Sequence, residues 1–267
     1  MHFNNKHILF IIAIFLGCEK TTTFNPLDSE HNPDFIPPDT FLISDEIEGS
    51  IFDISSITIE WEGSESVTEF SYNLDGLEWS NWSTNTAVTL EYLDEGAHVF
   101  YVKGRSPSKE GNTVSVSFAV DVMSGPGLRV HKWLSTPNVM DMIDIDIYAE
   151  EVTGLVLAEF QVTYDSNYLS LVSSDKGAIF EGIETSAFVQ ESVSGILKVN
   201  FTTLEHSGLT GTGSILKFQL QVTHDNSCNS LFINIENPIL KDIDGNNFEE
   251  DINIRNGEVI IDYGECI

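Results

Sequence analysis

Basic residues are scarce in this chain of 267 residues. Lysine and arginine together number 12 against 42 aspartates and glutamates, which gives a formal net charge of −30. A surface of that sign repels phosphate backbones, so the composition argues against nucleic-acid binding. The acidic surface is explained by solubility alone; a second interpretation is an acidic face that meets a basic or calcium-bearing partner.

The N-terminal hydrophobic run is too short to span a membrane. Residues 8–16 are nine apolar residues, and at about 1.5 Å each they cover about half of a hydrocarbon core of about 30 Å. The run follows a short polar start with Lys6, which is the anatomy of a secretory signal peptide. Residues 15–18, Phe-Leu-Gly-Cys, resemble a bacterial lipobox, so residues 1–18 are interpreted as a lipoprotein signal peptide and Cys18 as the lipidated residue.

This interpretation predicts a location in the bacterial cell envelope, with membrane contact through the lipid anchor only. The alternative is an ordinary cleaved signal followed by a chance cysteine.

Cysteine is also rare, with three residues in the chain. Beyond Cys18 only Cys228 and Cys266 remain, in a compartment where thiols can pair. Cys266 lies one residue from the C-terminus, which frays unless it is tied down. We predict a Cys228–Cys266 disulfide that holds the last strand; the alternative is two free thiols.

Catalytic motifs are missing. The sequence contains no G-x-S-x-G, no H-E-x-x-H and no phosphate-binding loop, and the histidines of the mature chain are scattered. With 42 acidic residues, a pair of carboxylates at glycosidase spacing carries no information. We therefore predict no catalytic residue, no cofactor and a protein that is not an enzyme.

No stretch has the apolar period of a long helix, whereas alternation of apolar and polar residues is widespread. Residues 19–39 hold half of the prolines and form a linker. Alternating strands separated by turn residues then run over 40–123, and Met-Ser-Gly-Pro-Gly at 123–127 marks a junction. Strand signals resume over 128–262. The prediction is an all-β protein with two sandwich domains, 40–123 and 128–262.

The first of these domains resembles fibronectin type III and immunoglobulin-like modules of bacterial surface proteins. The residues that carry the resemblance are Tyr72, Leu74-Asp75-Gly76, Trp79, Trp82, Glu95-Gly96, His98 and Val102-x-Gly104-Arg105. Trp79 and Trp82 could form a stacking platform for sugars, but packing at the end of the sandwich is the favoured interpretation. His98 is interpreted as a strand residue and not as a metal ligand.

A break in the second domain is informative. In residues 160–172 the alternation of apolar and polar residues stops at Tyr164-Asp165 and restarts at Leu169. Because an aspartate side chain bonds its own backbone two residues on, the break predicts a corner at which the chain moves to another sheet or to its edge. The pattern Tyr-Asp-x-x-x-Leu, with Gly-Thr-Gly-Ser-Ile-Leu at 211–216 and Asn256-Gly257-x-Val259, resembles cohesin domains.

That resemblance implies a nine-stranded jelly-roll sandwich that binds dockerin modules of polysaccharide-degrading complexes. In cohesins the strand before this corner supplies an Asn and an Asp to a flat docking face, and by position these fall on Leu157 and Glu159. Glu159 still offers a hydrogen-bond acceptor at the position of the Asp, whereas Leu157 has no side-chain amide at the position of the Asn. The resemblance favours a non-catalytic adapter that docks a dockerin-type partner; the alternatives are a polysaccharide-binding lipoprotein and a purely structural surface module.

Asp242, Asp244 and Asn246 offer oxygen atoms of the kind that calcium prefers. Aligned as a calcium loop of the EF-hand type, however, the segment puts Leu240 at the first ligand position, and leucine cannot ligate. A hairpin turn is therefore the favoured interpretation, and calcium the weaker one.

Overall fold

The computed structural model describes residues 37–43, 46–203, 208–248, 252–262 and 264. The predicted signal peptide with Cys18, the linker as far as residue 36, and Cys266 lie outside the described residues. Within the described ranges the chain is all-β, and its one helical element is the 3₁₀ turn Ala178–Phe180. No helix found there is long and apolar enough to cross a membrane.

The first sandwich contains seven strands in the described residues. They are β1 (Thr40–Leu42), β2 (Ile51–Phe52), β3 (Ile57–Gly63), β4 (Glu69–Leu74), β5 (Ala87–Leu90), β6 (Gly96–Arg105) and β7 (Glu110–Val120). One sheet has the order β1-β3-β5 and the other β2-β7-β6-β4. Alternation decides which side chains are buried, since Phe100 and Val102 of β6 are fully buried. The Trp61 ring packs 5.8 Å from that of Phe100 at the centre of this core.

The second sandwich has ten strand segments in the described residues. They are β8 (Gly127–His131), β9 (Leu134–Ser135), β10 (Met142–Thr163), β11 (Leu169–Lys176), β12 (Thr185–Val193), β13 (Ile196–Thr203), β14 (Leu209–Val222), β15 (Ser230–Asp242), β16 (Asn253–Arg255) and β17 (Gly257–Ile260). Its core is formed by residues from Leu128 to Ile261.

Strand β10 belongs to both sheets of this sandwich. Residues 142–150 pair with β14 and β8, whereas residues 157–163 pair with β13 and β15. The register slips between these halves, where Glu151 and Gly154 have positive φ angles of 47° and 67°. Glycine suits that conformation because it has no Cβ to clash. Sheet I is therefore β11-β14-β10-β8-β16, and sheet II is β12-β13-β10-β15-β17-β9.

Residues 142–150 and 154–164 each alternate in sequence as a separate strand would, but most of them belong to one bent strand, β10. The described residues form nine strands under the following count. The two halves of β10 count as two strands, because they lie in different sheets. The pairs β8/β9 and β16/β17 each count as one strand that is divided between the sheets. The predicted fold class is confirmed: an immunoglobulin-like sandwich is followed by a jelly-roll sandwich.

The break at Tyr164-Asp165 is a corner between the sheets. Before it, β10 lies in sheet II; after it, β11 pairs with β14 in sheet I. Asp165 Oδ1 accepts the backbone N–H of Asn167 at 2.9 Å, and the Asp165 carbonyl accepts the N–H of Leu169 at 2.9 Å. Leu169 is fully buried, so the restart of the apolar pattern marks the return of the chain to the core.

Candidate functional site

The outer face of sheet II is the surface on which the predicted partner-binding residues lie. The second half of β10 directs Ala158, Phe160 and Val162 into the core, where each is at most 3% exposed. Leu157, Glu159 and Gln161 alternate with these residues and therefore lie on the opposite side. We define the candidate face as the outward side chains Leu157, Glu159, Gln161, Lys198, Asn200, Ile239 and Lys241.

Strand register brings the members of this face together. Glu159 stands opposite Asn200 of β13 on one side and Ile239 of β15 on the other. The Asn200 side-chain Nδ2 donates a hydrogen bond to Glu159 Oε1, so a carboxylate and an amide form one polar unit. One row away, Leu157 stands opposite Lys241. The face thus combines a polar centre with apolar and basic neighbours.

A bulge in β15 produces a depression in the candidate face. The register between β10 and β15 slips between Glu159 and Gln161, where Asn237 has a positive φ of 52° and precedes Pro238, which has no N–H to donate to a ladder. The resulting depression has a volume of about 350 Å³ and is lined by Glu159, Phe160, Gln161, Lys198, Val199, Asn200, Asn237 and Ile239. Ile239 is 43% exposed beside it, and an apolar side chain at that level of exposure can bury area against a partner.

Leu157 and Glu159 both lie on the candidate face, and their contribution to partner binding stays a prediction. The structure adds Asn200, which places a side-chain amide beside Glu159 from the neighbouring strand. Sequence reasoning missed it because a cross-strand partner depends on register, which the spacing along one strand does not reveal.

Trp79 and Trp82 of the first sandwich are contacted by cationic side chains. Lys103 Nζ lies 4.7 Å from the Trp79 ring centroid and 5.3 Å from that of Trp82, while the Arg105 guanidinium lies 4.3 Å from Trp82. Trp79 is 40% exposed, so the expectation that both rings are largely packed is wrong for Trp79. Cation–π contacts occupy ring faces that a sugar would need.

The acidic segment near residue 242 forms a closed turn. Asp242 Oδ1 accepts the backbone N–H groups of Asp244 and Asn246, each at 2.9 Å, and Oδ2 accepts the Asn246 side-chain N–H at 3.2 Å. Burial opposes ionisation of Asp242, but these hydrogen bonds outweigh it and lower the pKa of its carboxyl. Within the described ranges, no group of three or more His, Cys, Asp or Glu side chains is arranged to hold a metal ion.

His98 is held between two acceptors inside the first sandwich. Its Nδ1 lies 2.8 Å from Asp75 Oδ2 and its Nε2 lies 2.8 Å from the Asp94 carbonyl oxygen. Both ring nitrogens are thus engaged within the protein, in agreement with the interpretation of His98 as a strand residue. Cys228 is disulfide-bonded; since Cys266 lies outside the described residues, the pairing of these two cysteines stays a prediction.

The first sandwich meets the second away from the candidate face. Tyr92 packs against the Trp133 ring, Asp94 accepts the Trp133 N–H and lies 3.7 Å from His131 Nδ1, and Glu95 forms an ion pair with Arg255. These contacted residues belong to β8, to β16 and to the crossing between β8 and β9, and none of them is a member of the candidate face. The candidate face is therefore a partly exposed surface of polar, apolar and basic side chains on an all-β scaffold.

The second sandwich is similar to one known family of protein domains. The family model described as the cohesin domain matches residues 134–258, just under half of the chain, and cohesins are non-catalytic protein-interaction modules. No curated protein matches the chain.

Solved structures of cohesins are similar to the same half. One is a non-cellulosomal cohesin from the hyperthermophilic archaeon Archaeoglobus fulgidus, with 19% identity over 52% of this chain and 91% of that chain and a TM-score of 0.43. Another is the sixth cohesin of scaffoldin B from Acetivibrio cellulolyticus, solved with a dockerin, with 18% identity over 52% and 100% of the two chains and a TM-score of 0.45. A third is a type I cohesin of Clostridium thermocellum, also solved with a dockerin, with 20% identity over 51% and 99% and a TM-score of 0.43.

Proposed function

We propose that this protein is a non-catalytic adapter of the bacterial cell envelope whose cohesin-like half docks a dockerin-type protein through the candidate face. The observation that carries the proposal is the coincidence of two facts. The cohesin family model matches residues 134–258, and the outer face of sheet II within that range carries the Glu159–Asn200 pair clear of the contacts made by the first sandwich.

The chemistry of the candidate face suits a protein partner. Glu159 and Asn200 provide acceptor and donor groups at its centre, and Lys198 and Lys241 supply positive charge in a chain that has 12 basic residues. Ile239 offers apolar area beside the depression. Protein interfaces combine apolar area with direct hydrogen bonds and a polar rim, and the candidate face offers groups for each of these contacts.

Titration against purified dockerins tests the proposal. The full mature chain is titrated by calorimetry against a panel of recombinant dockerin modules, in calcium and in chelator, because dockerins fold around calcium in that family. We expect at least one dockerin to bind in calcium and the Glu159→Ala variant to bind it roughly tenfold more weakly or worse.

Asp144→Ala is the matched control for Glu159→Ala. Asp144 lies on β10 in sheet I and accepts a hydrogen bond from the Gln219 amide at 2.9 Å, so the variant breaks the same kind of carboxylate–amide pair on the opposite sheet. It should bind like the unmodified protein. If both variants weaken dockerin binding equally, the candidate face is not the docking site. If no dockerin binds and the protein binds insoluble polysaccharide, the carbohydrate-binding alternative is favoured.

The envelope location is a further part of the proposal, supported by the lipobox-like residues 15–18. Expression with a radiolabelled or clickable fatty acid should label the protein, and Cys18→Ser should abolish the label. Labelling that survives the substitution would contradict the anchor.

A further inference from the structure

The segment Tyr92–Glu95, here named the joint loop, is fixed before it meets the second sandwich. It connects β5 to β6, and the carbonyl of Asp94 is held by His98 Nε2 at 2.8 Å. The other ring nitrogen of His98 lies 2.8 Å from the carboxylate of Asp75. The loop is therefore braced by the core of the first sandwich and presents its two carboxylates at a defined position.

Glu95 connects three parts of the chain. Its carboxylate accepts the backbone N–H of Val122 at 3.0 Å and of Met123 at 3.1 Å, both in the segment between the sandwiches. It also accepts a hydrogen bond from Arg255 Nη1 of β16 at 2.9 Å. The Glu95 side chain is 5% exposed, and a buried carboxylate is stable only when its acceptors are used in this way.

Asp94 and Tyr92 add contacts on the same side. Asp94 Oδ1 accepts the backbone N–H of Trp133 at 2.6 Å, and the Tyr92 ring packs 5.4 Å from the Trp133 ring. The guanidinium of Arg255 lies 3.8 Å from the Trp133 ring centroid. Arg255 is thus held between a carboxylate of the first sandwich and an aromatic ring of the second.

The segment between the sandwiches is itself bonded to the second sandwich. The backbone N–H of Gly125 donates to Glu151 at 2.7 Å, and the Asn253 side chain donates to the Ser124 carbonyl at 2.7 Å. At Gly127 a Cβ would lie 2.4 Å from the Asn253 carbonyl oxygen, so glycine allows the close approach of these backbones. A connection held at both ends and in the middle has little freedom to bend.

We propose that the joint loop locks the two sandwiches into one rigid body, with Glu95 as the central contact, so that the first sandwich fixes the orientation of the second. The first sandwich is then an orienting arm and not a flexible spacer. The proposal goes beyond the proposed function and does not need it, because it concerns the orientation of the two halves whether or not a dockerin binds.

Residual dipolar couplings of the full mature chain in a weakly aligning medium test the proposal. In the unmodified protein, couplings from residues 46–120 and 128–262 should fit one common alignment tensor. Glu95→Ala should require two tensors of different magnitude, while the chemical shifts inside each core stay unchanged. Cleavage by a protease between residues 122 and 126 should accelerate roughly tenfold or more.

Glu91→Ala is the matched control, since Glu91 is an exposed neighbour of the joint loop and its removal changes the charge equally. It should behave like the unmodified protein. If Glu95→Ala fails to fold, Arg255→Lys keeps the charge but loses the planar stack on Trp133, and it should also give two tensors. Two tensors in the unmodified protein, or one tensor in a folded Glu95→Ala or Arg255→Lys protein, would overturn the proposal.

Discussion

Removal of one hydroxyl group at the corner between the sheets should destabilise the second sandwich measurably. Tyr164 is 7% exposed, and its hydroxyl donates to Glu191 Oε1 at 2.6 Å. Burial, together with this hydrogen bond, raises the pKa of Tyr164 above its ordinary value of about 10, so the hydroxyl keeps its proton and remains a donor near neutral pH. Tyr164→Phe deletes the donor and leaves the ring in place.

The size of the effect follows from the partners that remain. Hydrogen bonds to charged groups contribute about 1.5–3 kcal/mol. After the substitution, Glu191 Oε1 still accepts the backbone N–H of Gly195 at 3.0 Å, and Glu191 is only partly buried, so water can replace the lost donor in part. We therefore expect a loss near the lower end of that range, about 1.5 kcal/mol in the free energy of unfolding.

Urea unfolding followed by near-ultraviolet circular dichroism measures this loss. With a slope of about 2–3 kcal/mol per molar urea, the midpoint should fall by about 0.5–0.75 M without a change of slope. Tyr168→Phe is the control, since the Tyr168 hydroxyl makes no hydrogen bond to a described residue, and its midpoint should not move. If the two variants unfold at the same urea concentration, the Tyr164–Glu191 bond does not stabilise the corner.

Three further outcomes are expected. Burial lowers the pKa of His131, so the stability that its neutral ring supplies is present above the ordinary pKa of about 6.5 and is lost as pH falls below that value. His131→Gln should therefore flatten the fall in unfolding free energy between about pH 7 and pH 5. An unchanged dependence of the unfolding free energy on pH would contradict this assignment. Because the carboxylate of Asp242 is used by its own turn, thermal melts in calcium and in chelator should coincide, and a higher melting temperature in calcium would point to a bound ion. Thiol titration of the denatured, unreduced Cys18→Ser protein should find no free thiol if Cys228 pairs with Cys266, whereas two thiols would refute the disulfide.

The parts of the fold that depend on local pattern were predictable from the sequence. Alternation places Phe100, Val102 and Ile147 in a core because successive side chains of a strand point to opposite faces. The corner at Tyr164-Asp165 was predictable because an aspartate can bond the N–H two residues further on. These inferences need only neighbouring residues, so one sequence is enough for them.

The features that depend on register and on contacts between distant segments could not be predicted. Asn200 joins Glu159 from a strand 41 positions away, and nothing in either strand alone specifies that alignment. The path of β10 through both sheets follows from a bend at Glu151 and Gly154 that looked like a turn between two strands. The contact between Lys103 and Trp79, likewise, depends on how the loop after β4 folds back along β4 and brings Trp79 to Lys103 of β6.

The central claim is that a dockerin binds at the candidate face, and mapping the surface that a bound dockerin covers tests it most directly. Hydrogen–deuterium exchange of the full mature chain, measured with and without a dockerin that binds it, reports which backbone segments the partner covers. The account predicts slower exchange in residues 157–163, 196–203 and 236–241, with no change in β3 to β7. Protection confined to the first sandwich or to sheet I, with the Glu159–Asn200 strands unaffected, would contradict it.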